Sequence, residues 1–301
     1  MAITKVTGGL LGNYSVGTDN VALGNTALSS GSLSGQENTA IGARVLEANT
    51  TANENTGIGM KALLSNTTGS ANTSVGQGSL ASNTTASNNT AVGKSSLAAN
   101  TTGTSNVAVG MNTLDANTTG STNTGLGQGS LSSNTTASNN TGVGYAALNQ
   151  NTTGAGNVAV GSLALDANTT ADNTTAVGYS ALTANTTGIN NTGMGAFVLG
   201  QNTTGQNNVA VGYASLNANT TGSYNVSVGY NALDANTTAS NNTGVGYLAL
   251  TANTTGAGNS ALGKSSMGAN TTGSNNTAVG HGALDANTTA DNNVAVGLNA
   301  L

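Results

Sequence analysis

The residues that offer chemistry here are asparagines followed by two threonines, a set of tyrosines, a few aspartates and one histidine. In one repeated register, Asn-Thr-Thr begins at Asn49, Asn66, Asn83, Asn100, Asn117, Asn134, Asn151, Asn168, Asn185, Asn202, Asn219, Asn236, Asn253, Asn270 and Asn287. Each is an Asn-x-Thr acceptor for N-linked sugar, so a glycan on every repeat is one expectation. The other is a structural ladder, in which Asn tolerates the backbone of a corner and bonds its side-chain amide to the next repeat. Tyr145, Tyr179, Tyr213, Tyr230 and Tyr247 share a second register, and rings held on a surface can face a ligand such as a sugar or pack a partner chain. Asp115, Asp166, Asp234 and Asp285 share a third. Most other repeats put Ser, Ala, Thr, Asn or Gly there, whereas a calcium-binding repeat needs Asp at a fixed turn position. These aspartates therefore read as solvated surface carboxylates. His281 occupies the tyrosine register with no triad around it and reads as a surface residue.

Composition narrows the field further. The 301 residues include ten Asp or Glu, five Lys or Arg and no Cys. That leaves little for a metal cage, an activated nucleophile or a pair of carboxylates sharing acid and base work, so no enzyme, metal or cofactor is expected. A net charge of −5 with so few basic residues argues against nucleic acid. No run approaches the roughly 18 apolar residues of a membrane span. The opening residues 1–12 lack the apolar core of a secretory signal.

What positions these residues is a repeat. The Gly of each aliphatic-Gly pair falls at Gly24, then Gly42, and from there at every seventeenth residue to Gly297. The residue before this marker is always aliphatic or Met, and the residue four after it is Leu except at Met267. A disordered chain of the same composition would not keep such columns. Alternation in Asn89-Thr-Ala-Val-Gly93 puts Thr90 and Val92 on one face and Ala91 on the other, the period of a strand. A second short strand is expected over Leu97–Thr101, with Gly, Ala and Asn turning the chain. Helix is disfavoured by the Gly, Asn and β-branched content. The fold class expected is all-β, a parallel β-solenoid of 17-residue coils. Residues 20–301 form it, residues 1–19 act as an N-terminal cap or linker, and no boundary divides the repeats. Seventeen coils at about 4.8 Å would make a rod on the order of 80 Å long.

The position two before the marker is only ever Ala, Gly or Ser. Taken as facing away from the coil interior, it predicts close packing between chains, with Ala91, Ala108, Gly125, Gly142, Ala159, Ala176, Gly193 and Ala210 in an oligomer interface. Repeat duplication without divergence is the alternative, although the residue after the marker varies freely, from Met60 and Gln77 to Lys94 and Tyr145. A thin coil that buries few large side chains also needs stabilisation from beyond itself.

Asn106-Val-Ala-Val-Gly110 and Asn225-Val-Ser-Val-Gly229 resemble the head repeats of trimeric autotransporter adhesins. The longer unit Asn276-Thr-Ala-Val-Gly-His-Gly-Ala-Leu-Asp-Ala-Asn-Thr-Thr289 is similar to repeats in phage and bacterial tail-fibre-like proteins. The resemblance covers about residues 13–301 and implies a homotrimer of left-handed β-rolls with small residues near the threefold axis. The adhesin repeat is shorter than this one, so the fold transfers more safely than the role. The resulting expectation is a structural, non-enzymatic fibre or adhesin shaft, extracellular or on a virion surface. Its partners are other copies, laterally or end to end, and host surface or glycans. The alternatives are a glycan-coated extracellular filament and an ice-binding protein. Ice binding calls for two outward Thr per coil separated by one residue, and the paired Thr of Asn-Thr-Thr are adjacent.

Overall fold

The computed structural model describes residues 19–301. The described residues contain seventeen strands of three residues each and no helix. The expected cap over residues 1–19 lies, apart from Asp19, outside them. The chain divides into two compact units, Met1–Val143 and Gly144–Leu301.

The first unit is a β-solenoid of eight strands, β1 (Val21–Leu23) through β8 (Thr141–Val143). Each strand pairs in parallel with the next, and the register advances by one repeat: Thr73 lies opposite Thr90, and Ala91 opposite Ala108. The second unit repeats this design from β9 (Val158–Val160) to β17 (Val294–Val296). There Thr175 lies opposite Thr192 and Ala261 opposite Ala278. The 17-residue period thus sets the register in both units, because stacking identical columns lets every coil use the same bonds.

Among the described residues, one strand forms per coil. The second expected strand, Leu97–Thr101, is a chain of turns. Its cause is backbone conformation: Ser95 and Leu97 adopt left-handed φ values of 57° and 50°, and the same two positions do so in the other repeats. Such residues cannot extend a strand. Hydrogen bonding between coils nevertheless continues through the turns, as in Leu97 N to Thr113 O (3.0 Å), Ala99 N to Asp115 O (3.0 Å) and Thr101 N to Thr118 O (2.9 Å). The ladder therefore covers far more backbone than the strands do, which satisfies polar groups that a narrow coil must bury.

The marker glycines explain themselves at Gly93. Its φ of +131° lies where L residues are strained, and a Cβ there would overlap the Gly110 carbonyl of the next coil. A column with these two constraints admits only Gly.

The core runs along the axis of each unit. The Leu four after the marker is buried in every described coil but the last, wholly so at Leu63, Leu97, Leu182 and Leu233. Beside it lies the residue three after the marker, such as Val45, Ser96 or Ala181, also buried. The strand contributes its central residue. Ala91, Ala108, Ala159, Ala176 and Ala210 are fully buried in the single chain, and Gly125, Gly142 and Gly193 are buried with them.

This overturns the expected oligomer interface at Ala91, Ala108, Gly125, Gly142, Ala159, Ala176, Gly193 and Ala210. The column is small because it points into a coil already filled by Leu. A Cβ on Gly193 would sit 2.9 Å from Leu182 Cδ1 and 3.0 Å from Val198 Cγ1. Size is compensated locally. Val45, Thr113 and Val198, the bulkier residues at the third position after the marker, each face a Gly: Gly57, Gly125 and Gly193. Where both partners are Ser they share a hydrogen bond, Ser74 with Ser79 at 2.5 Å and Ser215 with Ser227 at 2.7 Å. Interiors packed this closely register single methyl groups.

Candidate functional site

With the small column inward, alternation sends the other two residues of every strand outward. One is Thr, Val or Ser. The other, just before the marker, is aliphatic or Met in every coil. In the first unit this outer column includes Ile58, Val109 and Leu126, each 37–38% exposed. In the second it includes Val160 and Val279 at 37%, Met194 at 47% and Leu262 at 52%. Among the described residues, no strand contains a charged residue. Each unit therefore presents a parallel sheet face with an apolar stripe and no charge. Exposed sheet usually carries Lys, Glu or similar residues that discourage pairing, and contiguous apolar surface of this kind marks interaction sites. Sequence reasoning found this column but placed it inside, because larger apolar residues are the usual core.

The sequon asparagines lie inside the corner. Asn49, Asn66, Asn83, Asn100, Asn117, Asn134, Asn151, Asn168, Asn185, Asn202, Asn219, Asn236, Asn253 and Asn270 are fully buried, and Asn287 is half-buried. Asn100 Nδ2 donates to Asn83 Oδ1 at 3.0 Å and to the Gly103 carbonyl at 2.9 Å. A second asparagine column, just before each strand, converges on the same acceptor: Asn89 Nδ2 donates to Gly103 O at 2.9 Å, and Asn106 N donates to Asn89 Oδ1 at 2.9 Å. The nitrogen that would carry a sugar is thus buried and committed in the folded coil, and a glycan there would prevent the corner from closing. The ladder, not the acceptor, is what the motif builds, and glycosylation at Asn49 to Asn270 is corrected accordingly.

The threonines complete the corner. Thr101 Oγ1 donates to Thr118 O at 3.0 Å, while Thr102, the second of the pair, is exposed. Outward threonines also sit on the sheet, as at Thr90, paired with an outward aliphatic rather than a second threonine.

The tyrosine register is on the surface of the second unit, with Tyr145, Tyr179, Tyr213, Tyr230 and Tyr247 between 47% and 56% exposed. Four of them join a ladder through Phe197, which sequence reasoning missed. Tyr179 and Phe197 meet edge to face at 5.3 Å, and Phe197 and Tyr213 at 5.8 Å. Tyr213, Tyr230 and Tyr247 then stack nearly parallel at 5.4 and 5.5 Å. Phe197 lies one residue later in its repeat than the tyrosines do, so column alignment hides it. Tyr145 makes no ring contact among the described residues.

Among the aspartates, Asp166 accepts from Thr183 Oγ1 at 2.6 Å. Partial burial raises Asp115 above its usual range, with backbone hydrogen bonds opposing, and raises Asp234 by the same cause. Among the described residues, Asp115 Oδ1 has no hydrogen-bond partner. His281 is exposed. Among the described residues, no three His, Cys, Asp or Glu side chains gather where a metal ion could be held, and no helix is long and apolar enough to cross a membrane. No family model matches the chain, and no curated protein matches it.

Proposed function

We propose that the protein is a structural, non-enzymatic fibre or adhesin shaft, placed outside a cell or on a virion, whose chains associate through the outward aliphatic stripe. The observation that carries this reading is the charge-free column just before the marker glycine, present in every described coil of each unit and left partly exposed in the single chain. A second copy is the fitting occupant. Its sheet presents the same rise per coil and the same side chains, so apolar residues interdigitate at every step without leaving a charge unpaired. A partner lacking this period would match at one coil and drift out of register at the next.

We further propose three copies as the assembly. This number rests on the resemblance to the adhesin head repeats, with the aliphatic column rather than the small one taking the shared surface. Stiffness would follow from coil stacking and lateral association, and the variable surface would meet host surface or glycans.

Sedimentation equilibrium tests it. Three times the single-chain mass of 28.9 kDa is expected at micromolar concentration. Replacing Val92, Val109 and Leu126 together with Lys should give single chains, because three charges would be buried without partners. Wild-type protein that sediments as one chain at all concentrations would overturn the association, and a thermal hysteresis signal from that single chain would favour ice binding.

A further inference from the structure

The ring ladder of the second unit offers a reaction that lateral association does not use. Tyr213, Tyr230 and Tyr247 lie nearly parallel, at interplanar angles of 12° and 14°, so each ring covers part of its neighbour's face. Stacked faces are poorly placed to receive a sugar ring. All three residues nevertheless remain 47–49% exposed, so an oxidant in solution can reach them. No charged residue separates them, since each sits in the position after the marker in consecutive coils.

From this geometry we infer that Tyr213–Tyr230 and Tyr230–Tyr247 are sites of oxidative coupling to dityrosine by a peroxidase with hydrogen peroxide. Each phenol loses one electron and one proton, giving two tyrosyl radicals. An ortho carbon of one bonds to an ortho carbon of the other, and each ring regains aromaticity as its ortho hydrogen moves to oxygen. Hydrogen peroxide takes up the two electrons and two protons and leaves as two waters. The product is a covalent bond between adjacent coils. Holding the rings at 5.4–5.5 Å makes the second radical a fixed neighbour rather than a diffusing one, which favours coupling within the chain over coupling between chains. Tyr145, somewhat more exposed but without a ring contact among the described residues, is the built-in comparison.

The test is to treat the full chain with peroxidase and hydrogen peroxide, then to read dityrosine fluorescence, chain mass on a denaturing gel, and cross-linked peptides by mass spectrometry. Peptide mapping separates coupling from oxygen addition at the exposed Met60, Met111 and Met194. The expected result is fluorescence in chains of unchanged gel mobility, with peptides joining Tyr230 to Tyr213 or Tyr247. Tyr230→Phe keeps the stack and should lower the within-chain signal at least fivefold, while Tyr145→Phe leaves it unchanged. Fluorescence found only in cross-linked dimers, or undiminished in Tyr230→Phe, would overturn the assignment.

Discussion

The two units share a backbone plan and differ in what they display. In the first, the position after the marker holds Ala43, Met60, Gln77, Lys94, Met111 and Gln128; in the second it holds Tyr145, Tyr179, Tyr213, Tyr230 and Tyr247 among others. Beneath both run the same buried Leu, the same inward small residue and the same asparagine ladders. The comparison teaches that fold and display are separable here. Columns that look inward are fixed by a coil with no spare volume, whereas the outward column after the marker can carry an aromatic ladder without altering a rung.

Substitutions in the fixed columns should therefore cost the same in both units. The largest loss is expected at the marker. Gly93→Ala in the first unit and Gly178→Ala in the second, at φ values of +131° and +137°, each drive a Cβ into the next coil's carbonyl. Strain and overlap together should cost about 3 kcal/mol or more. Hydrogen exchange reads this coil by coil, as lost protection around the substituted rung, and suits a repeat array better than a single melting point. Next come Leu97→Ala and Leu182→Ala, which leave cavities worth about 2–5 kcal/mol. Asn100→Ala and Asn185→Ala should follow at about 1–3 kcal/mol, since each strips donors from a buried acceptor. A twofold disparity between units in any of these pairs would show that the second unit is not the same scaffold.

Display substitutions should separate the units. Tyr230→Ala removes two stacked contacts and should cost about 1 kcal/mol, whereas Gln77→Ala should stay within about 0.5 kcal/mol. The smallest effect is electrostatic. Asp115 and Asp234 titrate above 3.8 in the folded chain because partial burial disfavours the carboxylate. The folded state thus holds those protons more tightly than the unfolded one. Their contribution to stability is complete below 3.8 and is lost as pH rises through the raised values. Asp115→Asn should accordingly stabilise the first unit slightly at neutral pH and lose that advantage in acid, as followed by hydrogen exchange against pH.

Much of this was legible in the residues. The 17-residue period, the glycine markers and the Leu column read directly as stacked coils. The side of the strand that faces inward did not. Alternation over Thr90, Ala91 and Val92 defines two faces but not which is core, and the usual preference for burying Val gave the wrong one. The deciding fact is three-dimensional: left-handed backbone at the second and fourth residues after each marker, such as Ser95 and Leu97, turns the third and fourth, Ser96 and Leu97, both inward to fill the coil. Only a methyl group, a hydroxymethyl group or nothing then fits from the strand. The asparagine ladder was one of two readings of Asn-Thr-Thr, and burial decides between them. Phe197 was hidden because a ring can reach the tyrosine ladder from a neighbouring column.

The face assignment and the association it implies can be measured together, because the chain has no cysteine to compete with one introduced. Ala91→Cys and Val92→Cys would be treated with a maleimide under native conditions over a dilution series. Ala91→Cys should resist labelling at every concentration, and Val92→Cys should be slow when concentrated and fast once dilution separates the chains. Rapid labelling of Ala91→Cys, or labelling of Val92→Cys that is fast and independent of concentration, would contradict the outward aliphatic stripe as the surface that joins copies.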